Sequence, residues 1–566
     1  MHQPHSQPRA SIYYDYRVHA PWLPSQHGPQ PRHPVVIVGA GPIGMVTALE
    51  LARHGVASVL LEAELQVSEG SRAIVFTRRS MEILQQVGVA DRMLAHGLPW
   101  RYGNSFYRGQ RVFRMEAPYD ENDRFFPMTN LQQQYVEEYL VDAVQAQPLI
   151  DLRWGNKVHQ VVRNDDWVEV EVDTPEGSYN LQADWLVASE GARSAVRSQF
   201  GLKMEGASYE GRFVIADIRI DLDLPTERLA FFDPEWNPGN TVLMHREPHG
   251  IWRIDYQLPA DETPEEALRP ESLAERINAQ LALIGKAGTP WEMDWSSVYS
   301  ARAMTLPNYA HGRVLFTGDA AHLLPIFGVR GANTGFQDAQ NLGWKLACVQ
   351  KGLAGRALLD TYSSERVGAA REICEEAGKS TRFMTPPTRG FRVLRDAVLS
   401  LSLTEDFVRP LYHWRTSRPH EYSHSPLNLL VEEAAFHGGP APGAQLSNVR
   451  LGDNRYLLDL LGASFALLVF TEADLPADLQ ATVQTWRDQG VPVQVLAISR
   501  TRTTCAGADA CLPDPQGLFG QRYGVPEGLS PAAYLSRPDQ HVCARWTELD
   551  AAGLQAALQR ALPHTH

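Results

Sequence analysis

Five cysteines in 566 residues, none in a CxxC pair, leave this chain without a disulfide framework or a dithiol redox motif. Cys348, Cys374, Cys505, Cys511 and Cys543 are sparse and odd in number, which fits a reducing, cytoplasmic setting. Long apolar runs are missing too. No stretch approaches the roughly 18 residues that a membrane-crossing helix needs, so no membrane span is expected. Residues 1–33, rich in Pro, Gln and His, lack the apolar segment of a secretory signal and read as an extended arm lying on the surface. The histidines there are irregularly spaced, and no metal site is expected. Positive charge is in deficit, with 52 Lys and Arg against 66 Asp and Glu. The net charge of −14, with no local basic cluster, argues against a nucleic-acid partner.

What is present is a chain with ample core, 44% apolar and 21% charged, long enough for roughly three or four domains. Residues 34–64 read PVVIVGAGPIGMVTALELARHGVASVLLEAE. A short apolar strand leads into GxGxxG at Gly39, Gly41 and Gly44, with Pro42 inside the turn; a helix and a second strand follow. The three glycines serve a tight turn, close approach of backbone to a pyrophosphate, and close helix–strand packing. The helix N-terminus offers unpaired N–H groups to phosphates. Glu62, closing the second strand, is placed to accept hydrogen bonds from ribose hydroxyls. An acid there suits an unphosphorylated ribose, so FAD and NAD both remain open at this site. A second GxGxxG is absent, which argues against a separate nicotinamide domain.

Two later segments carry the next signals: ADWLVASEGARSAVRSQFGL at 183–202 and VLFTGDAAHLLPIFGVRGANTGFQDAQNLGWKLA at 314–347. In the second, Phe336, Ala339, Leu342, Leu346 and Val349 recur at helical spacing after a glycine-studded loop. With the fingerprint, these segments resemble the single-component FAD-dependent aromatic hydroxylases, nearest the branch of phenol and hydroxyphenylpropionate hydroxylases. The resemblance implies that Asp319, after Gly318, holds the ribityl chain of FAD. It places Pro325, Gly331, Ala332 and Asn333 under the flavin ring, at the positive end of a helix. It assigns Glu190 and Gly191 to a motif serving FAD and the nicotinamide cofactor, with Glu190 standing where relatives have Asp. Ile326 likewise stands where relatives usually have proline. Arg72 corresponds to an arginine reaching the phosphate region, and Gln133, or its neighbour Gln132, to a glutamine near the ribityl chain.

Residues 206–300 turn to short alternating segments, RFVIADIRIDL, NTVLMHREP and IWRIDYQLP, which predict an antiparallel sheet. His245, Arg253 and Tyr256 are the candidates there for gripping and activating a substrate. Alternation puts Trp252, Ile254 and Tyr256 on one face and Ile251, Arg253, Asp255 and Gln257 on the other, and leaves open which face meets the flavin. The acid that phenol-hydroxylating relatives often carry after the Arg72 segment is replaced by AIVF, so a substrate base must come from elsewhere or be a water.

The expected fold is α/β. An extended arm (1–33) precedes a Rossmann-like FAD-binding domain in two parts (34–205 and 301–435), with an inserted substrate-binding sheet (206–300). A C-terminal domain (436–566) resembles the thioredoxin-like tail of the phenol hydroxylase branch and lacks its CxxC. The expected activity is hydroxylation of a small phenolic substrate through a C4a-hydroperoxyflavin, with tight FAD, transient NADH or NADPH, and O₂. Alternatives are another flavin oxygenation on the same scaffold or a flavin-binding protein that has lost turnover. A homodimer is expected.

Overall fold

The computed structural model describes residues 1–70, 72–259, 261–325, 328–412, 419–430, 436–452, 454–526 and 532–564. Ile326 lies outside the described residues.

The first sheet has a parallel centre. His33–Val38 lies between Ser58–Leu61 and Gly177–Ala188; Ile150–Arg153 and Val314–Phe316 extend it on either side. Val35 to Val38 and Val59 to Leu61 are all buried, the continuous apolar run of a strand covered on both faces. Register then fixes the site. Val38 pairs with Leu61 and Ala188, and Ala188 pairs with Phe316. The strands therefore end level, and the segments beginning at Gly39, Glu62, Ser189 and Thr317 leave the same edge. Ligands of open α/β sheets bind at this edge, outside the carboxyl ends of the strands.

The second sheet has eight strands, and it departs from the sequence expectation in extent and direction. Its order is 322–323, 292–305, 205–219, 251–257, 241–246, 228–232, 102–107 and 110–116. The hairpin Tyr102–Tyr107/Gln110–Glu116, which sequence reasoning left inside the first FAD segment, extends this sheet at one edge. Tyr102–Tyr107 pairs in parallel with Arg228–Phe232, so the sheet is mixed. The hairpin gives the Arg228–Phe232 strand a partner that local alternation does not reveal. One face packs Val214, Ile218, Val242, Trp252, Ile254 and Tyr256 against Leu273, Ile277 and Leu281 of the Pro270–Leu283 helix. The other face looks toward the strand ends of the first sheet.

The C-terminal part carries a five-stranded sheet, with Phe465–Phe470 between parallel Val493–Ser499 and antiparallel Ala532–Ser536. Helices Ala477–Asp488 and Ala551–Ala561 cover one face. Its apolar core continues without a break into Trp344, Cys348 and Leu358 of the main body. A buried polar cluster reinforces this joint. Glu365 accepts from Lys345 Nζ at 2.7 Å and from Arg537 at 2.6 Å, while Trp344 Nε1 donates to Asp539 at 3.1 Å. Among the described residues no helix is long and apolar enough to cross a membrane, and no cluster of His, Cys, Asp and Glu suits a metal.

Candidate active site

A cavity of about 970 Å³ opens where the level strand ends face the second sheet. Gly39 has φ +95°, and a Cβ there would stand 2.8 Å from the Ser189 carbonyl oxygen. At Gly44 a Cβ would stand 2.0 Å from the Gly39 carbonyl oxygen, so the first helix seats on its strand only through a bare backbone. Gly44 serves packing and does not itself line the cavity.

Gly41, Gly191 and Gly331 do line it, and on each the Cβ direction meets nothing within 4 Å. Bare backbone from three segments thus faces one open space, a cradle that side chains would fill. The Pro42–Arg53 helix begins in this wall with no side chain capping its N-terminus, leaving N–H groups for an anionic group. The residues present fit FAD.

Glu62 lines the same wall, and its carboxylate accepts from Ala40 N at 2.8 Å and Glu64 N at 3.0 Å. Burial raises its pKa, and the two backbone donors oppose that rise. Arg72 faces the cavity. Gln133 also lines it, but its amide is engaged locally: Oε1 accepts from Ala73 N at 2.9 Å and Nε2 donates to Glu137 at 2.6 Å. It fixes the segment that carries Arg72. Gln132, the alternative to it, donates to Pro248 O and does not reach the cavity lining.

Glu190 accepts from Ser194 Oγ at 2.7 Å and Val196 N at 2.9 Å through Oε1, capping the Ala195–Gln199 helix. Its Oε2, buried and without a hydrogen-bond partner among the described residues, belongs to a side chain lining the cavity. The longer side chain has thus kept a free acceptor at the site. Asp319 is open to the cavity; the protein enclosing that cleft desolvates its carboxyl and raises its pKa against the pull of His322 and Arg72.

Gly331–Gln350 is a long helix whose first residues, Gly331, Ala332 and Asn333, line the cavity. The Asn333 side chain is used elsewhere: Oδ1 accepts from Thr77 N and Ser80 Oγ, and Nδ2 donates to Val75 O. Only its backbone remains for a ligand. Gly318 (φ +59°) packs on Ile43 behind the lining, and Pro325 is buried next to the lining residue Leu324.

The roof of the cavity is the polar face of the second sheet. Its strand pairing puts His245 opposite Arg253 and Leu243 opposite Asp255. Tyr256, one of the three catalytic candidates, is on the wrong face: it packs in the core beside Trp236 and lines no part of the cavity. Alternation is the cause, since Asp255 points into the cavity and its neighbour must point away. Arg253 is a lining residue held in a bidentate pair with Asp217 at 2.8 and 3.0 Å, and it donates to Arg72 O at 3.1 Å. It braces the roof against the Arg72 segment. His245 is buried with Nδ1 unpartnered among the described residues; burial, then the positive charges of Arg228 and Arg253, push its pKa well down, so the ring is neutral.

The residue that sequence reasoning passed over is Asp255. Its buried Oδ1 has no hydrogen-bond partner among the described residues, and the side chain lines the cavity. Burial, with the nearby Asp217 charge, outweighs Arg253 and Arg228 and raises its pKa to about 7. Arg228, buried on the neighbouring edge of the roof, also lines the cavity. The parity of Asp255 was readable from its strand; the choice of face was not.

The fold and this site define a flavoprotein. Comparison with known proteins gives the class: residues 32–377 match the FAD binding domain family, and the chain belongs to it. A Mycolicibacterium smegmatis 3-(3-hydroxy-phenyl)propionate/3-hydroxycinnamic acid hydroxylase is 29% identical over 467 residues, covering 81% of this chain and 80% of its own. The Escherichia coli K12 protein of the same name is 27% identical over 527 residues, covering 90% and 91%. Among solved structures, the flavin-dependent monooxygenase PieE, in complex with FAD and substrate, superposes with a TM-score of 0.79 at 25% identity, covering 94% of this chain and all of its own. Aklavinone-11 hydroxylase with FAD and aklavinone gives 0.75 at 25% identity, covering 95% and all of its own. The chain is an FAD-dependent monooxygenase.

Proposed function

We propose that this enzyme hydroxylates a small phenolic ring at the expense of NADH or NADPH and O₂. The observation that carries the reading is the continuity of one cavity from the glycine cradle to a buried acid, Asp255, with an oxygen that has no partner among the described residues. The hydroxyphenylpropionate hydroxylase names of the relatives support it.

FAD would lie along Gly39, Gly41, Pro42, Glu62, Arg72, Glu190, Gly191, Asp319 and the 331–333 turn, and when bound would supply reduction by NAD(P)H, activation of O₂ and oxygen transfer. The chain's own work is binding and proton handling. Asp255 takes the phenolic proton, raising electron density on the ring carbon to be attacked. Arg228 and the neutral His245 flank that acid: the first supplies positive charge toward a phenolate or a substrate carboxylate, the second a hydrogen bond. The N–H groups opening the Gly331–Gln350 helix favour negative charge on the reduced ring. The roof keeps water from the reacting atoms. A thioredoxin-like fold for 436–566, without redox chemistry, a homodimer and a cytoplasmic location complete the proposal.

The test is a panel of phenols and phenyl carboxylic acids screened for compounds that accelerate NAD(P)H consumption, with product position read by mass spectrometry and NMR. Aklavinone-11 hydroxylase, solved with aklavinone, favours a second reading, a polycyclic aromatic substrate, because its fold matches over nearly the whole chain. Polycyclic phenols in the same panel decide between the two. Tightly coupled hydroxylation of a polycycle, with single rings inert, would overturn the first reading.

A further inference from the structure

Residues 1–32 do more than lie on the surface. All but the last of them precede the family match, which begins at residue 32. They run along one wall of the cavity, residues 62–70, beyond the Glu62 carboxylate. His2 Nε2 meets Ala63 O at 2.7 Å, and His19 N donates to Leu65 O at 2.7 Å. Gln66, almost fully buried, is gripped twice: its amide nitrogen donates to Gln7 O at 2.9 Å, and its oxygen accepts from Arg9 N at 3.0 Å. Gly70 N donates to the Tyr16 hydroxyl at 3.1 Å.

The arm is itself anchored on both neighbouring elements. Ser11 Oγ and Ile12 N donate to Asp294 of the roof sheet, Tyr14 donates to Glu138, and Tyr14 and Tyr16 sit in the main core. From this arm only Arg9 enters the cavity lining, among the described residues. Its guanidinium donates to Val67 O and stands 3.8 Å from the Glu64 carboxylate.

We propose that the arm is part of the FAD site, with Arg9 contacting the adenosine half and the arm holding the 62–70 wall in place around it. The inference rests on the flavoprotein reading and extends it to a segment outside the family unit. Glu62, the ribose acid of the fingerprint, identifies which end of the dinucleotide this wall meets. A guanidinium can stack on the face of an aromatic base while donating to ribose oxygens, or lie in the base plane and donate to its ring nitrogens. Arm contacts that order the wall beforehand spare the ligand the cost of ordering it.

The test compares full-length protein, Arg9→Ala and a deletion of residues 1–10, which keeps the anchors from Ser11 onward. Affinities for FAD and for FMN, which lacks the adenosine half, are read by flavin fluorescence; circular dichroism and thermal unfolding of the apoproteins report on folding. Arg9→Ala is expected to bind FAD about tenfold more weakly, with FMN affinity and apoprotein unfolding unchanged. The deletion is expected to release FAD faster still. Unchanged FAD affinity in Arg9→Ala, or an equal loss for both flavins, would overturn the proposal. Failure of the full-length protein to bind either flavin would instead overturn the flavoprotein reading beneath it.

Discussion

Arg197 donates to the Ala320 carbonyl at 3.0 Å, joining two segments 123 residues apart in the chain. The same guanidinium donates to Ala192 O at 2.6 Å, so one side chain ties the Glu190 loop to the Asp319 turn. The two walls of the cradle hold their spacing through it. Arg197→Ala is expected to weaken FAD binding about tenfold, the scale of one charge-assisted hydrogen bond, measured by fluorescence titration.

Asp255→Asn removes the proposed base. Turnover is expected to fall by about 10²–10⁴, the range for a lost general base, with a smaller change in KM. The pH profile decides whether Asp255 acts this way. Its pKa is raised to about 7, so wild-type kcat should climb as pH rises through that value; in the Asn variant the climb should vanish.

A stability signature accompanies that shift. The folded protein holds the Asp255 proton more tightly than the unfolded chain does. Stability therefore falls as pH rises from 3.8, the ordinary aspartate value, toward about 7 and levels off above it. Thermal unfolding of the apoprotein should show Asp255→Asn losing part of this decline and gaining relative stability at pH 8.

Tyr256→Phe serves as the negative control on the roof. Tyr256 faces the Pro270–Leu283 side, so kcat and KM are expected to stay within about twofold of wild type. A large rise in KM would place the substrate on the other face of the sheet and overturn the site as drawn.

Gly44→Ala tests the seat of the first helix. A Cβ 2.0 Å from the Gly39 carbonyl forces the helix off its strand, because the obstacle is backbone and has no rotamer to yield. Purified variant protein is expected to carry little flavin and to unfold at lower temperature, on the scale of 1–3 kcal/mol for an overpacked core.

The parallel centre and its ligand edge are legible in the sequence because their signals are local. GxGxxG sits between an apolar strand and an amphipathic helix, and 331–350 announces itself by helical spacing. The second sheet is half legible: alternation separates Tyr256 from Asp255 but carries no information about which side meets the cavity. The pairing of the 102–116 hairpin and the docking of the arm are illegible for a different reason. Their partners, Arg228–Phe232 and the 62–70 wall, lie far away in the chain, and pairings of that kind leave no local periodicity. Asn333 shows the remaining kind of difference: a residue placed at the site by its backbone, with its amide spent on Thr77, Ser80 and Val75.

The joint at Trp344 has a consequence for anyone trimming the gene. The helix that begins at the cavity packs its far end against the C-terminal part, and across that joint Glu365, Lys345, Arg537 and Asp539 form one interlocked charge group. Cutting the chain near residue 435 would strip Lys345 and Glu365 of two counter-ions and bare the indole of Trp344. Fragments ending at residue 377 expose that joint, and are expected to be less soluble and to unfold at lower temperature than the full chain, read by the soluble fraction on expression and by thermal unfolding.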